Sequence, residues 1–163
     1  VRLTPLLAAT TAATALATTA GCAAHTPLPR APRGGFDPPV TVTFEGAPPL
    51  RAEVARREDQ RARGLMQRSA VPEGTGMVFL YPRRVSESYW MKGTLVPLSI
   101  AYVDGDRVVS TAEMTPCRRD PCPDYPAAGP YTMAVEARAG FFPDHGVRPG
   151  TRVSVTGATQ PPQ

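Results

Sequence analysis

Lysine, histidine and tryptophan are scarce in this chain of 163 residues. Lys92 is the sole lysine, so arginine supplies nearly all of a formal net charge of +4. Such a modest charge does not call for nucleic acid as a partner. Anionic lipid heads or acidic wall polymers are better-matched contacts than nucleic acid, and a solvated surface with no partner is the default. The two histidines are His25 and His145, and His25 precedes the part that can fold. One folded histidine argues against histidine-rich metal centres and leaves a single imidazole base. No Gly-x-Ser-x-Gly elbow, P-loop or dinucleotide fingerprint is present. A transmembrane helix needs about 20 strongly apolar residues, and no run supplies them. No internal repeat is visible.

What the chain does have is a distinctive start. Arg2 precedes an uncharged stretch rich in Ala and Thr, which ends in Thr19-Ala20-Gly21-Cys22. A positive start, a short apolar core and small residues at a cut site describe a secretory signal over residues 1–21. Cys22 then stands where a bacterial lipobox places its acylated cysteine, although Thr19 replaces the usual aliphatic residue. An ordinary cleaved signal with an incidental Cys22 is the simpler alternative. The cysteine count favours lipidation. Three cysteines, Cys22, Cys117 and Cys122, leave one unpaired in an exported protein unless Cys22 is modified. The expected location is extracytoplasmic, with the lipid anchor making the cell membrane a partner.

Cys117 and Cys122 lie in Pro116-Cys117-Arg118-Arg119-Asp120-Pro121-Cys122-Pro123, a proline-rich loop. The spacing is not that of thiol redox enzymes, and no second pair completes a zinc site. A structural disulfide is expected in an oxidising compartment, contributing about 2 kcal/mol by loop-closure entropy. No metal and no cofactor are expected.

Residues 22–39 are rich in proline and small residues and read as a lipidated tether. Residues 40–156 form one domain, and 157–163 a disordered polar tail. Val40-Thr41-Val42-Thr43-Phe44 alternates as a half-buried strand does, and Leu50, Ala52 and Val54 repeat the pattern. Further strands are expected over 76–81, 88–92, 98–103, 107–114, 131–136 and 151–155, with a hairpin turn at Asp104-Gly105. One short helix is expected over 58–66, where Gly64 can end it. Short strands between Pro and Gly turns point to a mainly β protein, a sandwich or barrel.

Three blocks carry a resemblance. They are Arg63-Gly64-Leu65-Met66 with Gly76-Met77-Val78-Phe79, then Tyr89-Trp90-Met91-Lys92-Gly93-Thr94 with Pro97-Leu98, then Val135-Glu136-Ala137-Arg138-Ala139-Gly140. In this order the chain resembles the bacterial and archaeal family called domain of unknown function 192. The resemblance implies a jelly-roll-like β-sandwich, often exported, with no established activity. The loop from Met114 to Tyr125 also resembles one in family members. Gly93 stands where Asn is common, Ser99 where Asp is usual, and Arg138 where Asn is common. These departures imply that any chemistry shared by the family is altered here.

Strand parity nominates a site. Trp90, Lys92, Ser99 and Glu136 are expected to face away from the main core, where they could line one concave sheet face. The bland reading makes Lys92 and Glu136 surface charges in a weak ion pair and Trp90 the cover of a sheet edge. The function expected is non-catalytic binding of a small molecule, glycan or envelope protein. The alternative is a hydrolase of wall or surface polymers, with Glu136 as acid or base and Lys92 as its electrostatic partner. Pairing Glu136 with Asp144 on a glycan is conceivable but weakly signalled. Met66, Met77, Met91, Met114 and Met133 could hold Cu(I), but methionine mostly fills apolar gaps.

Overall fold

The structure is a computed structural model that describes residues 35–157. The signal, Cys22, His25, residues 22–34 of the tether and residues 158–163 of the tail lie outside the described residues. No described helix is long and apolar enough to cross a membrane.

The described residues form nine strands and two helices, in order β1 (Asp37–Phe44), β2 (Leu50–Ala55), α1 (Glu58–Arg63), β3 (Thr75–Val85), β4 (Ser88–Trp90), β5 (Leu98–Asp104), β6 (Arg107–Met114), β7 (Asp124–Pro126), β8 (Tyr131–Arg138), α2 (Phe141–Asp144) and β9 (Val153–Thr156). The mainly β expectation holds. Seven strands form one curled sheet in the order β6-β5-β8-β3-β2-β1-β9, and β4 pairs with β7 in a small second sheet. The curl brings its edges together. Val108 N–H donates to Thr151 O (3.0 Å), Gly150 N–H to Val108 O (2.8 Å), and Val153 N–H to Asp106 O (2.8 Å).

All neighbours in the large sheet are antiparallel except β2 and β3. A parallel pair needs a crossover, and here the crossover carries α1. Leu65, just beyond α1, packs with Met77 and Phe79, so the crossover lies over the outer face of β3. Gln60 fixes α1 in place. It is fully buried and satisfied at both ends of its amide. Its Oε1 accepts from Arg56 N (2.8 Å) and Arg57 N (2.9 Å), while Nε2 donates to Gly35 O (3.0 Å) and Asp37 Oδ1 (3.1 Å). Those bonds also explain why β1 begins at Asp37, inside the expected tether. Pro38 and Pro39 suggested a linker, but Asp37 is held by Gln60 and by Arg56 (3.2 Å).

The helix is shorter than expected and stops at Arg63, with Gly64 at φ 47° as its cap. α2 is a second, unexpected turn of helix. Its Phe141 and Phe142 belong to the core inside the curl, where Phe142 meets Phe44 edge-on at 5.1 Å. That inner core is built of apolar side chains, with Val42, Leu50, Val54, Val78, Val103 and Val135 fully buried, and the buried Ser99 hydroxyl beside it donates to Glu113. Each such side chain contributes roughly 1.5–3 kcal/mol relative to exposure.

The opposite face of β3, β5 and β8 is covered as well. Met77, Phe79, Met91, Leu98, Ile100, Tyr102, Met114 and Tyr131 are buried there. The roof is β4, β7 and the crossover. Hence Leu98 to Val103 are all buried, although a strand exposed on one face would alternate.

Candidate functional site

The outer face is an aromatic layer with polar tips. Tyr89 stacks edge-on against Phe79 (5.2 Å) and Tyr102 (5.7 Å), and Tyr102 lies 4.9 Å from Tyr131. Each phenol finds a partner. Tyr81 and Tyr89 hydroxyls meet at 3.0 Å, Tyr131 donates to Glu87 O (2.9 Å), and Tyr102 donates to Tyr125 O. Burial pushes the Tyr81, Tyr89, Tyr102 and Tyr131 hydroxyls to higher pKa, so they stay neutral donors.

Glu136 breaks this pattern. Its residue partners across the sheet are Met77 on β3 and Ile100 on β5, both fully buried and apolar. Its own exposure is 5%. No hydrogen bond or ion pair reaches its carboxyl from the described residues, and burial alone pushes it up to about 8. The carboxyl is therefore mostly neutral near pH 7. Gly76 lets β3 approach the backbone of β8 closely here: a Cβ there would stand 2.3 Å from the Glu136 carbonyl oxygen.

Glu136 lines a cavity of about 50 Å³ between the α1 crossover and β4. Phe79, Tyr89, Trp90, Lys92, Thr94 and Met66 are among its walls, with Arg61 and Arg63 from α1. A groove of about 290 Å³ adjoins it, sharing Arg61, Ala62, Tyr89 and Trp90 and adding Glu58, Tyr81, Glu87 and Ser88. Trp90 stands at the mouth, 54% exposed. A larger cavity among the described residues, about 660 Å³, shares Glu58, Arg61 and Tyr81 with that groove and extends away from Glu136 along Leu80, Met133, Val153 and Val155. It is less informative chemically. Its rim cations are engaged: Arg56 pairs with Asp37, and Arg61 donates to the Arg56 and Leu80 carbonyls while lying over the Tyr81 ring.

Of the four residues nominated by parity, three line the same cavity and one does not. Trp90, Lys92 and Glu136 meet there. Ser99 is fully buried and donates to Glu113, whose other oxygen accepts from Gly140 N (2.9 Å). It sits one residue from Ile100, the neighbour of Glu136, and so on the opposite face. Both faces of β5 are covered, so alternation could not tell which was inner.

The bland alternative, Lys92 and Glu136 as surface charges in a weak ion pair, does not hold either, since Glu136 is buried. Lys92 Nζ bonds Asp120 Oδ2 at 2.9 Å and lies 5.7 Å from the Trp90 ring centre. Asp120 belongs to the loop closed by Cys117 and Cys122, which stand at disulfide distance with Cα atoms 5.5 Å apart. Cys117 N–H donates to Met91 O (3.3 Å), docking this loop beside Lys92. Cys117, Asp120 and Cys122 also cluster as metal ligands would, but sulfurs bonded to each other are unavailable as thiolates.

His145 donates from Nδ1 to Phe141 O (2.7 Å), and Asp144 pairs with Arg138 (3.3 Å). Neither lines the Glu136 cavity. The five methionines are divided: Met77, Met91 and Met114 lie in the outer layer, Met133 inside, and Met66 at the cavity. Gly93, Ser99 and Arg138 do not line the cavity either. Gly93 holds φ 71°, a conformation that Asn also tolerates.

Sequence reasoning missed Arg61, Arg63, Thr94, Glu58 and Glu87 as neighbours of the site. The Arg63-Gly64-Leu65-Met66 block was visible, but nothing in it revealed that a parallel crossover would lay it over β8.

Residues 40–155 match the family DUF192, described as an uncharacterized ACR family. The chain belongs to this family. A solved structure from Novosphingobium aromaticivorans DSM 12444, of a protein of unknown function, is 34% identical with a TM-score of 0.64, covering 71% of this chain and 83% of that one. A second, from Sinorhizobium meliloti 1021, is named as a candidate transcription regulator. It is 24% identical with a TM-score of 0.66, covering 75% of this chain and 96% of that one. At that identity the likeness speaks for the DUF192 fold alone. A comparison with curated proteins finds no match.

Proposed function

We propose that this DUF192 protein is an exported, membrane-anchored binding module whose ligand enters the groove between α1 and β4. Lipidated Cys22 holds it at the outer side of the membrane, and the ligand is a small molecule, a glycan or an envelope component. The observation that carries the reading is Glu136: a carboxyl in an apolar setting, without a partner among the described residues, at the base of an open groove. An uncompensated buried polar group costs stability unless something else satisfies it. A strongly perturbed acid in a cleft is a candidate for a functional site.

The hydrolase reading draws on the same residue. A carboxyl with a pKa of about 8 can donate a proton at neutral pH. Glycoside hydrolysis, however, uses two carboxylates flanking the bond, and Glu136 is the sole carboxylate among the residues lining its cavity. Lys92, its intended electrostatic partner, is committed to Asp120. Binding is the better-supported reading.

Trp90 is the only tryptophan, so its emission reports this one place. Titrating the full chain with wall fragments and small polar metabolites should shift that emission, and Glu136→Gln should weaken the response. Silence towards every ligand tried, with polymer turnover in the same tubes, would favour the hydrolase. Anchoring is tested separately by labelling cells with a palmitate analogue. Cys22→Ala should abolish both label and membrane retention. Intact mass without reductant should show Cys117 and Cys122 joined.

A further inference from the structure

We propose that the groove takes a linear aliphatic polyamine, with one terminal ammonium placed against Glu136 and the carbon chain running out between Trp90 and α1. This rests on the reading of the groove as a ligand site and adds the chemistry of the ligand.

Size sets the first limit. The cavity at Glu136, about 50 Å³, is the narrow end of the site, and the groove beside it is about 290 Å³. A slender aminomethyl end suits so narrow a space better than a bulky ring does. Its walls set the second. Phe79, Tyr89 and Trp90 present aromatic surface, which favours a cation over a neutral hydroxyl. Along the adjoining groove of about 290 Å³, Glu58 and Glu87 add two exposed carboxylates, and neither has an ion pair among the described residues. An extended ligand with cations at intervals would meet acids at its end and along its length.

None of the nearby cations pulls the Glu136 carboxyl down, since burial alone shifts it. Lys92, from the turn after β4, is bound to Asp120. Arg61, on α1, donates to the Arg56 and Leu80 carbonyls and lies over Tyr81. Arg63, also on α1, lies 4.4 Å over the Phe36 ring. Tyr89 of β4 and Tyr102 of β5 face Glu136 as neutral phenols. An incoming ammonium would therefore be the charge that ionises Glu136, and its arrival should release a proton.

The experiment is calorimetric titration of the full chain with spermidine, cadaverine and the diol matching cadaverine. At about pH 6.5 the amines should bind and the diol should not. Repeating the titration in buffers of different ionisation heat should show close to one proton released per amine, because the free carboxyl titrates at about 8. Glu136→Gln should lower amine affinity roughly 10–100-fold and abolish the proton release. Joint Glu58→Gln and Glu87→Gln should weaken spermidine more than cadaverine, while Glu45→Gln, far along the chain on a loop, should leave both unchanged. Amine binding that ignores Glu136→Gln, or that releases no proton, overturns the proposal. If the diol or a sugar shifts Trp90 emission and amines do not, the ligand class is wrong and the groove reading stands. If amines, diol and wall fragments are all silent, both fall.

Discussion

The two faces of the curled sheet are built for different purposes. Inside, Phe44, Leu50, Val54, Val78, Val135 and Phe142 form an apolar core, closed by α2, with the buried Ser99 hydroxyl satisfied by Glu113. Outside, methionines and tyrosines fill the layer between β3, β5 and β8 and the roof of α1, β4 and β7. The inner residues are rigid and shape-matched, which specifies one fold. Those outside are either adaptable or carry a hydroxyl that must be satisfied. An apolar core has no use for Glu136. It is tolerated on the outer face because the roof leaves a cavity over it. One face holds the protein together, and the other carries the groove proposed as a site.

Breaking the inner face should have the largest effect. Phe44→Ala removes a fully buried ring that meets Phe142 edge-on and should lower stability by about 3–5 kcal/mol in denaturant unfolding. If the variant stays folded, its response to groove ligands should be unchanged.

The outer face should respond in the opposite sense. Glu136 has a folded pKa of about 8 against 4.5 for the ordinary carboxyl. Between those values the folded form binds more protons, so stability is greatest below the lower value and falls as pH rises towards the upper. The slope is roughly 1.4 kcal/mol per pH unit within the window. Glu136→Gln should remove that slope and stabilise the protein by about 2–3 kcal/mol near pH 8, after allowing for a buried amide. Urea midpoints across pH 4 to 9 would check both statements.

The roof gives a smaller effect. Cys117→Ala should lower stability by about 2 kcal/mol if the two cysteines are joined, and should leave the fold intact. By loosening the loop that carries Asp120 it should also free Lys92 and change Trp90 emission. Trp90→Ala should have the smallest effect on stability, under about 1 kcal/mol, because the ring is 54% exposed. A loss several times larger would make Trp90 a packing residue and not a groove wall.

This division explains what could be read from the sequence. β1 and β2 alternate visibly because one of their faces is less covered. The β5–β6 hairpin was legible through Asp104-Gly105, and Gly105 does adopt a positive φ of 60°. Glu136 was conspicuous as a lone acid in the apolar run of β8. The face of Ser99 was not legible, because every residue from Leu98 to Val103 is buried and parity then carries no direction. Nor was the roof. β7 has three residues and α2 four, too few to show a period, and their pairing depends on distant partners. The acids of the groove became neighbours only through the parallel crossover between β2 and β3.

The central claim is that Glu136 is held uncharged at the base of a ligand groove. Carbon-detected NMR of the glutamate carboxyls, compared between the native chain and Glu136→Gln, measures this directly. One resonance should titrate at about 8, disappear in the variant, and move to lower pH when an amine occupies the groove. A Glu136 carboxyl titrating near 4.5, unaltered by any ligand, would contradict the account.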